Sequence, residues 1–100
     1  METSELLEQR SSKHGDAVDQ FAVAQMLKEE FQHHLDRNLR YEKIKGSVRG
    51  NMIKEGLDMI ATKLSRILVG DCTFYDHWQD IGGYGKIVSD FLEKEFKNEN

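Results

Sequence analysis

Apolar residues recur along this chain in steps of three and four, the spacing of helices buried along one side. Ala17, Ala24, Leu27, Phe31 and Leu35 make one such stripe, within a stretch running from Ala17 to about Arg37. Ile53, Leu57, Ile60, Leu64 and Ile67 make a second, the cleanest in the chain. A third runs through Ile81, Tyr84 and Val88 and continues with Phe91 or Leu92. An earlier stretch, roughly Ser4 to Ser12, has Ser4 as an N-cap but only Leu6 and Leu7 to bury. It reads as a short helix that docks late.

The breaks between stripes carry turn and capping chemistry. KHGD ends the first stretch and offers Asp16 as N-cap to the next. NLRYEKIKGSVRG is polar, holds two glycines and reads as a loop with a helical turn at its centre. Asn51 is the expected cap of the third helix, and Gly70 stands where that helix should stop. After GDCTFY, Asp76 is the expected cap of the fourth. So short a connection forces helices three and four antiparallel. The pattern predicts an all-α fold: residues 1–100 form a single helical domain, a small antiparallel bundle of three long helices. A short N-terminal helix within 1–13 is laid across them. Leu27, Phe31, Leu57, Ile60, Leu64, Ile81, Tyr84 and Val88 are its expected core.

Composition narrows the function more than the fold. One hundred residues supply one modest core. With 38% hydrophobic residues, 32% charged residues and no proline, the chain is too apolar to be wholly disordered. Fourteen basic and 18 acidic side chains leave a charge of −4, so no broad cationic field exists to hold a nucleic acid. Cys72 is the only cysteine, which fits a reducing compartment and excludes an internal disulfide. No apolar run reaches membrane-spanning length and METSELLEQR lacks a signal-peptide core, so the expected location is cytoplasmic.

The expected topology brings the start of helix two, the end of helix three and the start of helix four to one end. His14, Asp16, Gln20, Lys63, Arg66, Asp71, Asp76, His77, Asp80 and Tyr84 gather there. Gln20 and His77 continue the apolar stripes of their helices, and Lys63 and Asp80 fall at the edges of theirs. Polar groups so placed need partners among themselves, in water or in a ligand. Taken singly, each has a plain structural reading. Asp16 and Asp76 are caps, His77 is a boundary histidine and Tyr84 a core aromatic. Lys63 or Arg66 forms an ion pair with Asp80. Glu30 with His33 or His34 has metal-ligand spacing but reads first as a solvated face.

Taken together they describe a site. Asp76 and Asp80, at i and i+4, suit one Mg²⁺ or Mn²⁺ ion. Lys63 and Arg66, one turn apart, suit a phosphate. Gln20, His77, Tyr84 and Trp78 complete a pocket for the rest of a nucleotide. Gly82, Gly83 and Gly85 weaken the fourth helix by about 1 kcal/mol each relative to alanine, and close helix packing at Gly85 is the expected return.

With those blocks assembled, the chain resembles a family of small phage and prophage proteins of unassigned function. The likeness rests on HGD before a glutamine-bearing helix, then LDMIATKLSRILVGD and DHWQDIGGYG, and spans roughly His14 to Leu92. It implies a phage-type accessory protein and no particular activity. More distantly, the chain is similar to MazG-like all-α nucleoside triphosphate pyrophosphohydrolases, which bind Mg²⁺ through helix-borne acidic pairs. Glu55 and Asp58 match the ExxD pair of those enzymes, but the ExxE partner is missing, since helix two offers only adjacent Glu29 and Glu30. The leading expectation is a nucleotide or other phosphate-bearing ligand held at the polar end, with a divalent ion. The alternative is a non-enzymatic phage protein that modulates a host or defence protein through an acidic helical surface. Self-association into a homo-oligomer is compatible with either.

Overall fold

The computed structural model describes residues 16–99, so the expected helix over Ser4 to Ser12 and His14 lie outside it. The chain forms four helices: α1 (Ala17–Leu35), α2 (Leu39–Ile44), α3 (Val48–Val69) and α4 (Tyr75–Glu99). No strand occurs among the described residues, and the fold is all-α.

Helix starts follow local side-chain chemistry. Asp16 caps α1 as expected, its carboxylate accepting from the backbone N–H of Val18 at 2.9 Å and of Asp19 at 3.3 Å. Asn38 caps α2 by accepting from Tyr41 N–H at 3.0 Å, which turns the centre of the expected loop into a real helix. The chain then reverses through Gly46, whose φ of 82° belongs to the left-handed region that glycine enters without penalty. Ser47, not Asn51, caps α3: its hydroxyl accepts from Gly50 N–H at 3.2 Å and donates to the Ile44 carbonyl. α3 therefore begins one turn before the sequence pattern suggested, and Asn51 is an exposed residue inside it. Ser47 did not enter the sequence-based expectation for this cap. It prevails because a Cβ at position 50 would run into the Ile44 carbonyl, so only glycine lets α2 and α3 meet there. Gly70 ends α3 as expected.

α3 is the helix against which the others are arranged. It packs on α1, α2 and α4, while α1 and α4 meet at most marginally. α3 and α4 run antiparallel, because Lys63 faces Asp80, Gly56 faces Val88 and Arg49 faces Glu95 in reverse order. This arrangement changes the core. All eight expected core residues are half-buried rather than enclosed. The fully enclosed side chains are small or polar instead: Ala61 and Ser65 have no exposed surface, and His77 has 2%. Ser65 satisfies its hydroxyl locally by donating to the Thr62 carbonyl at 2.6 Å.

The nearest approach of α3 and α4 is at Gly56, where an added Cβ would lie 2.5 Å from Cγ2 of Val88. Gly85, the expected close-packing glycine, has nothing within 4 Å of the same added atom, and neither have Gly82 and Gly83. The helix angle placed Gly85 in the apolar arc correctly, but the contact that needs a bare backbone comes from the opposite helix.

These glycines separate cleanly in a stability measurement. Gly56→Ala should destabilise the protein by about 1–3 kcal/mol, because β-branched Val88 cannot swing one methyl aside without moving the other. Gly83→Ala meets open space and should stabilise by about 0.5–1 kcal/mol through helix propensity. Urea denaturation of the two single variants against wild type reads both signs. Leu64→Ala should fall at the low end of the roughly 2–5 kcal/mol seen for enclosed leucines, since Leu64 is only half-buried.

Candidate functional site

The polar residues of DHWQDIGGYG occupy the first three turns of α4 and divide into distinct local arrangements. Asp80 meets Lys63 of α3, with Nζ 2.8 Å from Oδ2. The Lys63 side chain is 14% exposed and that of Asp80 45%, so the ammonium is the more deeply placed partner. Lys63, and not Arg66, makes the direct contact of the expected ion pair. The hydrogen bond from Lys63 holds the Asp80 carboxyl below its ordinary value, against the desolvation that opposes ionisation. The charge on Lys63 adds to this effect, as do those of His77 and Arg66. Arg66 and His77 thus contribute positive potential at Asp80, and the four groups form one electrostatic cluster across α3 and α4.

His77 is buried in the first turn of α4, its ring edge-on to Phe74 with centroids 5.1 Å apart. Asp76 does not cap this helix, because α4 begins one residue earlier at Tyr75; Asp76 is instead an exposed carboxylate in the first turn. The turn before α4 is organised by Asp71. Its carboxylate accepts from the backbone N–H of Thr73 at 2.9 Å and from the Thr73 hydroxyl at 2.5 Å. Those two bonds, the hydroxyl's first, hold the Asp71 carboxyl low despite some desolvation, and the charge on His77 helps. Trp78 closes the connection from the helix side, donating its indole N–H to the Cys72 carbonyl at 2.9 Å.

Gln20 is buried on α1, with 6% exposure. Tyr84 is half-buried, and it lines an apolar groove of about 300 Å³ with Met52, Met59 and Ile87 rather than the Asp80 cluster. On the other side of the α3–α4 contact a larger groove of about 820 Å³ lies between Ile53, Leu57 and Ile60 of α3 and Gly85, Ser89, Leu92 and Phe96 of α4. Sequence reasoning missed both grooves. Their signal was present in the two glycine-bearing positions, Gly56 and Gly85, that keep side-chain volume out of the seam.

The chain matches no family model, and neither a curated protein nor a solved structure is significantly similar to it.

As for metals, no group of three or more His, Cys, Asp or Glu side chains converges among the described residues. Asp76 and Asp80 are one turn apart, but Asp80 already answers Lys63. Asp58 of the ExxD pair is part-buried and accepts from Lys54 at 2.9 Å. His34 pairs with Glu30 at 3.1 Å on an exposed face of α1. No described helix is long and apolar enough to cross a membrane.

The Lys63–Asp80 pair makes a specific demand on stability. Asp80→Asn should destabilise at neutral pH by leaving a mostly buried ammonium without its counter-charge. Replacing both partners, in Lys63→Met with Asp80→Asn, should recover part of the loss. The pH dependence follows from the lowered carboxyl. Its stabilisation is fully present above the unfolded value of about 3.9 and is lost as pH falls through the folded value. Urea midpoints measured from neutral pH down through that window should therefore fall more steeply for wild type than for Asp80→Asn.

Proposed function

We propose that this chain is a non-enzymatic, phage-type accessory protein that binds a basic protein partner through the acidic end of its helices. In this reading α1 packs antiparallel on α3, continuing the α3–α4 hairpin, so that the start of α1 joins the end of α3 and the start of α4 at one end. Those three segments carry Asp16, Asp19, Asp71, Asp76 and Asp80. Among them stand apolar side chains that are more than half exposed: Val18, Phe21, Leu68 and Tyr75. The observation that supports this reading is that the same three segments hold both the carboxylates and the exposed apolar side chains. Single exposed apolar residues are ordinary, but aromatic anchors ringed by carboxylates fit a partner that offers apolar pockets within a basic surface. Lys63, the best-placed cation for a phosphate, is engaged by Asp80 and would have to give up that carboxylate to take a ligand.

A second reading keeps the ligand. Arg66 and His77 add positive potential beside Asp80, which favours a nucleotide or another phosphate-bearing small molecule at the same end. Gln20 and Tyr84 would complete that site, with Asp76 and Asp80 holding Mg²⁺ or Mn²⁺.

Two measurements divide the readings. Nucleotides and inorganic phosphate, with and without Mg²⁺ or Mn²⁺, should leave the melting temperature unchanged; a ligand at a hundred times its dissociation constant would add about 2.7 kcal/mol. A rise that Asp80→Asn abolishes would overturn the protein-partner reading in favour of the ligand. In native co-purification, one basic protein should be retained at low salt, released at high salt and lost with Phe21→Ser plus Tyr75→Ser. Equal retention by that double variant would equally sink the proposal.

A further inference from the structure

α2 is a short helix with two dissimilar sides. Spaced at helical angles, Leu39, Lys43, Arg40 and Ile44 fall on one side of it, while Tyr41 and Glu42 fall on the other. The first side meets Arg49 of α3 and Leu92 of α4 around a pocket of about 770 Å³. Leu39, Ile44 and Leu92 make its apolar lining. Arg49 is engaged by Glu95 at 3.3 Å. Arg40 and Lys43 are different: both are exposed, as is Arg37 just before α2, and none of the three forms an ion pair among the described residues. A chain whose net charge is −4 thus sets three unanswered cations on one short segment beside an apolar pocket.

The complementary arrangement stands at the other end of α3. Tyr75 and Asp76 are consecutive at the start of α4 and both exposed, Tyr75 to 64%. Asp76 also lacks an ion pair among the described residues. α2 precedes the first residue of α3, and the connection to α4 follows its last. The 22 residues between span roughly 33 Å, far beyond a side chain's reach. Tyr75 and Asp76 therefore cannot enter the α2 pocket of their own copy.

We infer that copies of this chain associate head to tail, Tyr75 of one copy entering the α2 pocket of the next and Asp76 meeting Arg40 and Lys43 there. This names the basic partner of the docking end proposed above, and so rests on that reading. Charge selects the occupant. An aromatic anchor beside a carboxylate complements an apolar pocket rimmed by cations, and one chain carries both halves. Pairing like ends would instead set Arg40 and Lys43 against the same cations, or Asp76 against Asp76. A contact between unlike ends leaves one free end of each kind on every assembly, which grows into open chains unless the rotation closes a ring.

Sedimentation equilibrium of the full chain tests this arrangement. At low ionic strength the average mass of wild type should rise with concentration past twice 11.6 kDa, and high salt should return it to the monomer. Arg40→Glu with Lys43→Glu removes the receiving end, and Tyr75→Ser with Asp76→Asn removes the entering end. All four positions are exposed, so helical content should stay at the wild-type level. Each double variant should be monomeric alone. Mixed in equal amounts, they should form a 1:1 dimer and nothing larger, since one supplies the intact pocket and the other the intact Tyr75–Asp76 pair. A wild type that stays monomeric or stops at a dimer overturns the proposal. So does either double variant associating alone, or a mixture that stays monomeric. The docking end itself fails on a different result, equal co-purification of a basic protein by wild type and by Phe21→Ser plus Tyr75→Ser.

Discussion

α3 has to serve three neighbours around one circumference, and most features of the fold follow from how it does so. An α-helix presents roughly 100° of surface to each packing partner, so large side chains on every face would hold α1, α2 and α4 too far away to share it. α3 instead places a small residue toward two of them, α2 and α4. Gly50 receives the Ile44 carbonyl at the end of α2, and Gly56 receives the Val88 methyl of α4. Ala61 and Ser65 are the fully enclosed positions of its second half. The larger Ile53, Leu57, Ile60 and Leu64 fall between these approaches and are left half-covered. What looks from sequence like the centre of a core is, in three dimensions, the floor between flanking helices.

That geometry explains which parts of the structure were legible in the sequence. The helix periods were, because periodicity records only that one side of a helix is drier than the other. Asp16 and Gly70 were, because capping and stopping depend on the few residues next to them. Asn51 was expected as the cap of α3 and Ser47 takes that place, because the start of the helix depends on the contact of Gly50 with α2, far from any local rule. Asp76 was misjudged for a related reason. Asp71 and Thr73 fold the connection so tightly that α4 begins at Tyr75, and the cap position has already passed. Burial depth was the least legible quantity. It depends on how many helices close around a stripe, and no stripe contains that number.

Of the candidate site, the pairing of Asp80 with a basic residue of α3 was readable from helical angles and a short antiparallel connection. The choice of Lys63 over Arg66 was not. They lie one turn apart, and only the three-dimensional contact with α4 shows that the Lys63 ammonium is the one that meets Asp80, while the Arg66 charge adds to the potential there. Tyr84 shows the opposite failure. Its position on the stripe of His77 and Ile81 was right, but it lies far enough along α4 to enter the groove of Met52 and Met59.

The concentration of chemistry in DHWQDIGGYG therefore has no single cause. Trp78 ties the preceding loop to the helix through the Cys72 carbonyl, His77 fills the space against Phe74, and Asp80 neutralises the largely buried Lys63 of α3. Three of its polar side chains are thus spent on joining two helices at a five-residue connection, where few apolar contacts are available to do it. The glycines follow by the same logic in reverse. Among the described residues an added Cβ at any of the three would meet nothing within 4 Å, and each glycine costs about 1 kcal/mol of helix stability. A helix start fastened this heavily can tolerate a soft stretch behind it. The stability lost over Gly82, Gly83 and Gly85 is thus offset at the helix start, by the ion pair, the ring contact and the indole bond that precede them.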